Sequence, residues 1–322
     1  MNDAPSKHSV LLMDMGGPQT PAEVRPYLQR IFFDPYIIPG NPIKRWLLSQ
    51  LIASKSAAET RERYAEIGGK SNAVPNAQKL GEQLKKHFAD QGIELEYEVA
   101  TRYSFPTIPQ GLAKLSVKQK APISAVYLYP HETSALTGSC VSVLNRAAKK
   151  QNSPIDYHVK NISRTPAYLQ GWANAIKQAV KNPAETIIIF TAHSLPNSII
   201  ASGDRYVDEV EESVEKIKAM LGDVATDLAY QSQEGDDWLG PTAEEKAALA
   251  RENGFKELIV APLSFVGDNT ETLLDIDKNL SNAIKPLGFE RFHRITPPDQ
   301  QGFLCEMVAE ALAQEWNLES GS

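Results

Sequence analysis

Short apolar runs rich in β-branched residues alternate along the chain with longer stretches whose apolar positions recur every three to four residues. The runs cover residues 9–15, 95–101, 123–129, 156–162, 186–192, 227–231, 257–263 and 291–295. The longer periodicity predicts helices over 76–87, 137–148, 167–180, 207–220, 243–253 and 272–284. Strands alternating with helices argue for parallel sheets in a doubly wound α/β fold. The eight strands divide four and four about residue 165. We therefore expect two Rossmann-like (flavodoxin-like) domains with four-stranded parallel sheets, over residues 1–164 and 165–300. A last helical pattern, 301–316, has no strand after it. It is expected to return to the first domain, with the tail to 322.

Length agrees with this division, because 322 residues exceed what one hydrophobic core usually supports. The net charge of −7 argues against a broad basic surface for nucleic acid. No apolar run reaches the ~18 residues of a bilayer-spanning helix. The polar start, residues 1–8, lacks the apolar stretch of a secretory signal, so a reduced cytoplasm is expected. Two cysteines, Cys140 and Cys305, can build neither a disulfide framework nor a four-cysteine metal site.

In open α/β sheets ligands lie beyond the carboxyl ends of the strands, so the residues there carry the candidate chemistry. After strand one comes Met15-Gly16-Gly17-Pro18, whose glycines permit a tight turn and close approach to a ligand. After strand two come Arg102 and Tyr103. An arginine there either pairs with a ligand carboxylate or forms an internal ion pair. His131, Glu132 and Thr133 follow strand three. His193 stands at the tip of the wholly apolar run 187–190, where it is a structural hydrogen bonder, a general base or a metal ligand. Ser232 and Trp238 follow strand six. Trp238 either lines a flat aromatic ligand or anchors its loop. Glu271 and Asp275, four residues apart, share one helix face after strand seven. They complement a helix dipole or serve a divalent cation. No G-x-G-x-x-G follows a strand, and Gly68-Gly69-Lys70-Ser71 lacks the first glycine of a P-loop.

Taken in order, Leu12-Met13-Asp14-Met15-Gly16-Gly17-Pro18, Ala192-His193-Ser194-Leu195-Pro196, Gln231-Ser232, Trp238-Leu239-Gly240-Pro241 and Asp268-Asn269-Thr270-Glu271-Thr272-Leu273 resemble the ferrochelatase family over about residues 8–310. The resemblance implies a chelatase-like pair of domains with a porphyrin cleft between them. It implies insertion of ferrous iron into protoporphyrin IX or coproporphyrin to make haem. On this basis His193 and Glu271 bind the metal and take the pyrrole protons, with Asp275 and Asp277 on the same acidic helix. Met15, Tyr64, Ser71, Arg102, Tyr103, Ser232 and Trp238 match positions around the porphyrin. Ferrous iron is then a substrate, and neither a resident cofactor nor an iron–sulfur cluster is expected. The apolar segment 31–52, with Phe33, Trp46 and Leu47, matches the lip over the pocket or serves as core. As a lip it would touch a membrane from the cytoplasmic side, with Lys44 and Arg45 meeting anionic lipid. A monomer or homodimer is expected. Asn269 stands where the family has histidine, and His131 with Glu132 is gained nearby, which suggests that His131 compensates. The alternatives are a non-catalytic haem- or porphyrin-binding relative, or a chelatase with a changed metal preference.

Overall fold

A computed structural model describes residues 6–118 and 121–318 and divides the chain into two compact units. The first comprises Met1–Tyr129, Thr133–Lys160 and Val308–Ser322; the second comprises Pro130–Glu132 and Asn161–Met307.

The first unit is built on β1 (Lys7–Asp14), β2 (Glu94–Thr101), β3 (Ile123–Tyr127) and β4 (Tyr157–Val159). All are parallel, in the order β2-β1-β3-β4. The central strand, β1, is inaccessible from Val10 to Met13, which is why it reads as an unbroken apolar run. Side chains alternate across a strand. Leu11 and Met13 face the helices Ile108–Lys118 and Ser139–Gln151 through Leu112, Leu115, Cys140 and Leu144. Val10 pairs with Tyr97 on the other face, where helix Ala73–Ala89 lies. That helix comes close because Gly81 sits on the Tyr97 ring; a Cβ there would be 2.2 Å from it. Trp316 stacks on His8 and donates its indole N–H to Ser124 Oγ at 2.7 Å, which fixes the C-terminal return to this unit.

The second unit repeats the plan with β5 (Thr186–His193), β6 (Ala225–Gln231), β7 (Glu257–Pro262) and β8 (Arg291–Arg294), in the parallel order β6-β5-β7-β8. One face packs Ile187, Ile189, Leu258 and Val260 against the helix Ala243–Glu252 and the segment Glu271–Ile284, through Ala247, Ile276 and Leu280. In both sheets the chain starts in the middle, goes to one edge and then crosses to the other side. The strand order therefore reverses between β1 and β3 and again between β5 and β7, and each reversal opens a crevice at the strand carboxyl ends.

The eight strands lie where the apolar runs place them, with ends differing by a few residues. The fourth is the exception, ending at Val159 as Asn161 turns to a left-handed φ of 53°. Among the described residues the helices Val24–Phe32, Pro42–Glu66 and Ile108–Lys118 were not predicted, nor were the short ones Asn197–Ala201 and Pro298–Gln301. Two predicted helices open in π-helical turns, Ser134–Gly138 and Glu271–Leu280.

Candidate functional site

In the first unit the turn after β1 is folded tightly by its own polar groups. Asp14 Oδ1 accepts the Gly16 N–H at 2.7 Å, and Gly17 N–H donates to Ser104 Oγ at 3.1 Å. Gly16 has a φ of 81°, and a Cβ there would be 2.1 Å from Ser104 Oγ. At Gly17 a Cβ would be 2.5 Å from the Ser71 side chain and 3.0 Å from the Tyr64 hydroxyl. Both glycines are thus required by close packing, and Ser71 and Tyr64 are brought to one place against the turn. Met15 follows β1 half-buried, packed on a cluster that includes Val24, Tyr27, Leu28 and Tyr103.

Arg102 and Tyr103 lie beside this turn, held by backbone bonds to Asp14 and Met15. Their side chains converge on Asp34, which is 2% exposed. Asp34 Oδ2 accepts from Arg102 Nη2 at 2.5 Å, from the Tyr103 hydroxyl at 2.8 Å and from the Ser139 hydroxyl. Arg102 Nε also reaches Ser139 Oγ at 2.6 Å. Of the two readings of Arg102, the structure shows the internal ion pair. Tyr103 is fully buried. Burial, and then the negative charge of Asp34, push its phenol well above the ordinary range, so it stays a neutral donor. Asp34 was not among the sequence candidates. Its signal is a lone acid inside Phe32-Phe33-Asp34-Pro35, an apolar setting that an aspartate occupies only with partners.

The second unit assembles its candidates at the ends of β5, β6 and β7. His193 Nδ1 lies 2.5 Å from the Ser194 carbonyl oxygen. A carbonyl only accepts, so Nδ1 donates in this bond and Nε2 is the ring nitrogen left for other partners. The backbone of His193 is clamped from both sides: its N–H donates to Ser264 Oγ at 2.9 Å and its carbonyl accepts the Tyr206 hydroxyl at 2.9 Å. Gln231, in register with His193 on β6, donates its side-chain amide to the Glu271 carbonyl at 3.1 Å. The next residue, Ser232, is held at a left-handed φ of 60° and donates its hydroxyl to Asp275 Oδ2 at 2.7 Å. A non-glycine residue there is uncommon, and such strain gathers at functional sites. Glu271 and Asp275 are both half-buried on the π-helical segment, itself a geometry frequent at such sites. A pocket of about 240 Å³, lined among others by Ser232, Gln233, Glu244, Asp275 and Asn279, opens beside them. Trp238 is half-buried in a loop stitched to the His193 loop, with Leu239 N–H donating to the Leu195 carbonyl at 2.9 Å.

Several sequence expectations are corrected here. Asp277 lies on the same segment as Glu271 and Asp275 but is held in an ion pair. Its carboxylate is bound by Arg294 Nε at 2.7 Å, and the same guanidinium binds Asp268 at 2.9 Å. His131 does not compensate for Asn269. It is 2% exposed with Nε2 on Ser213 Oγ at 3.1 Å, and burial lowers its pKa to about 3, so it is a neutral core residue. Arg45 does not face lipid. It is buried, giving its guanidinium to the carbonyls of Phe33 and Gly40 at 2.8 Å each. Among the described residues no three His, Cys, Asp or Glu side chains already form a closed metal cage.

This architecture, two parallel four-stranded sheets with polar loops at the carboxyl ends of their strands, is that of the chelatases. The solved structure of SirB from Bacillus subtilis with Fe3+ superposes with a TM-score of 0.57 at 12% identity, covering 97% of this chain and 98% of that one. CbiX, described as the terminal enzyme for biosynthesis of sirohaem in denitrifying bacteria, gives 0.52 at 14% identity over 96% and 98%. At such identities the likeness is one of fold.

Sequence comparison narrows the class. The family model for ferrochelatase matches residues 7–316. A ferrochelatase from Aquifex aeolicus is 34% identical, covering 90% of this chain and 93% of that protein. Another, from Geotalea uraniireducens, is 35% identical over 90% and 92%. The chain belongs to the ferrochelatase family, whose activity is metal chelation in haem synthesis.

Proposed function

We propose that this chain inserts ferrous iron into protoporphyrin IX or coproporphyrin. In this reaction the free-base macrocycle loses two pyrrole N–H protons as the dication enters, so two protons leave for each metalloporphyrin formed. The protein must accept those protons, strip water from iron and hold the ring distorted so that its nitrogens open toward the metal. The observation that carries the reading is the His193 ring. Its Nδ1 donates to the Ser194 carbonyl, so Nε2 is the ring nitrogen offered as base or ligand.

Glu271 supplies the carboxylate that works with His193. The strand register and the Gln231 bridge support the pairing. Asp275 receives iron or passes protons outward, and it accepts from Ser232 at the wall of the adjoining pocket. Met15, Tyr64, Ser71, Ser232 and Trp238 contact the macrocycle. Arg102 and Tyr103 act at the wall of the porphyrin site through Asp34, since their polar groups are used there.

The protein works in the cytoplasm and meets a membrane peripherally. Ile43, Trp46, Leu47 and Leu51 are 72%, 53%, 57% and 67% exposed on the helix Pro42–Glu66, an apolar stripe suited to an acyl boundary. No helix among the described residues is long and apolar enough to cross a membrane.

The test is anaerobic mixing of purified protein with ferrous iron and each porphyrin. Loss of free-base fluorescence with growth of haem bands is expected for at least one of them. Tight porphyrin binding without insertion of iron, cobalt or zinc would replace this reading with that of a binding protein.

A further inference from the structure

Asn269 caps the turn that carries Glu271. Its Oδ1 accepts the backbone N–H of Glu271 at 3.0 Å and that of Thr272 at 3.0 Å. Thr272 answers by accepting the Asn269 N–H on Oγ1 at 3.0 Å, and Leu273 N–H donates to the Asn269 carbonyl at 3.0 Å. This reciprocal arrangement is a helix N-cap with a side chain returned from three residues on. Thr272, fully buried, passes its hydroxyl to Asp268 Oδ1 at 2.8 Å. Asp268 is in turn gripped by Arg294 at 2.9 Å and Gln300 at 2.5 Å. Arg294 belongs to β8 and its side chain is only 6% exposed. The first turn of the π-helical segment is therefore tied to the sheet through Arg294, Asp268, Thr272 and Asn269.

We propose that Asn269 is a positioning residue for Glu271. The amide oxygen spends its accepting capacity on two backbone donors and so fixes where the Glu271 side chain leaves the chain. The inference rests on the chelatase reading above and adds to it the residue that aims its carboxylate. A displacement on the order of 1 Å in a reacting group costs about a hundredfold in rate, so loss of this cap should be visible in turnover.

The experiment compares Asn269→Ala, Asn269→Gly and Asn269→Ser in steady-state iron insertion, with the wild type and Glu271→Gln alongside. Serine keeps an accepting oxygen, whereas glycine lacks one yet is tolerated at N-caps with little loss of fold stability. Alanine and glycine should lower kcat about tenfold or more with the porphyrin KM within about twofold of wild type. Serine should recover most of kcat. Deuterium uptake at the Glu271 and Thr272 amides should rise in the alanine and glycine variants and fall back in serine. Undiminished kcat in the glycine variant would overturn the proposal, as would a serine variant that restores amide protection but not turnover. An inactive wild type would remove the chelatase reading and this role with it. An active wild type with an unimpaired glycine variant removes this role alone.

Discussion

Replacing His131 by glutamine should take about 2 kcal/mol of acid sensitivity out of the protein between pH 7.5 and pH 5. The imidazole is 2% exposed, has Ser213 Oγ as its hydrogen-bond partner at 3.1 Å, and lies against the edges of Tyr168 and Tyr206. Its Nδ1 is buried without a partner. Burial moves its pKa from 6.5 to about 3. The folded value lies below the unfolded one. The contribution to stability is thus complete above about pH 6.5 and is lost as pH falls toward 3, while the unfolded chain takes up the proton. Linkage over these two values gives a loss of about 2 kcal/mol by pH 5, and the figure hardly changes for any folded value below about 4. Glutamine fills similar space, retains a donor for Ser213 and does not titrate. Urea unfolding of wild type and His131→Gln at the two pH values, followed by tryptophan fluorescence, isolates the difference because the other titrating groups are common to both. Equal losses in the two proteins would refute the reasoning, since they would mean that His131 binds its proton inside the fold.

Three further outcomes follow from the site. Arg294→Met should destabilise the second unit by about 3 kcal/mol, because it leaves Asp268 in a largely buried setting without its counter-charge; thermal melting and deuterium uptake over residues 268–277 read this. Asp34→Ala should cost a similar ~3 kcal/mol in the first unit by stranding Arg102 and the Tyr103 hydroxyl, and should weaken porphyrin binding measured by fluorescence titration. Trp46→Ser combined with Leu51→Ser should abolish co-sedimentation with anionic vesicles while leaving turnover with detergent-dispersed porphyrin within about twofold of wild type; unchanged sedimentation would remove the membrane contact.

The strands were legible because each central parallel strand is buried on both faces, so that Val10–Met13 and Ile187–Phe190 appear as continuous apolar runs. The helix Pro42–Glu66 was not, for a physical reason. Its buried positions are Arg45, Ser49, Ala53 and Ala57, while Ile43, Trp46, Leu47 and Leu51 face out. Apolar periodicity therefore marks the wrong face. Ile108–Lys118 was obscured by Gly111, which it needs because a Cβ there would be 2.9 Å from Ala100. Periodicity also could not separate π from α turns at Glu271–Leu280. The strand-end rule brought out Met15, Arg102, His193, Ser232 and Glu271. It could not foresee that Arg102 is matched by an aspartate 68 residues away, or that Asn269 caps the turn carrying Glu271. Such roles depend on tertiary neighbours that no local pattern encodes.

The most direct test of the account is single-turnover iron insertion with porphyrin bound in advance, in wild type, His193→Ala and Glu271→Gln. All three proteins should bind porphyrin with similar affinity, and only the wild type should convert it to the metallated product. Insertion at an undiminished rate in either variant would contradict the assignment of proton and metal handling to these two side chains.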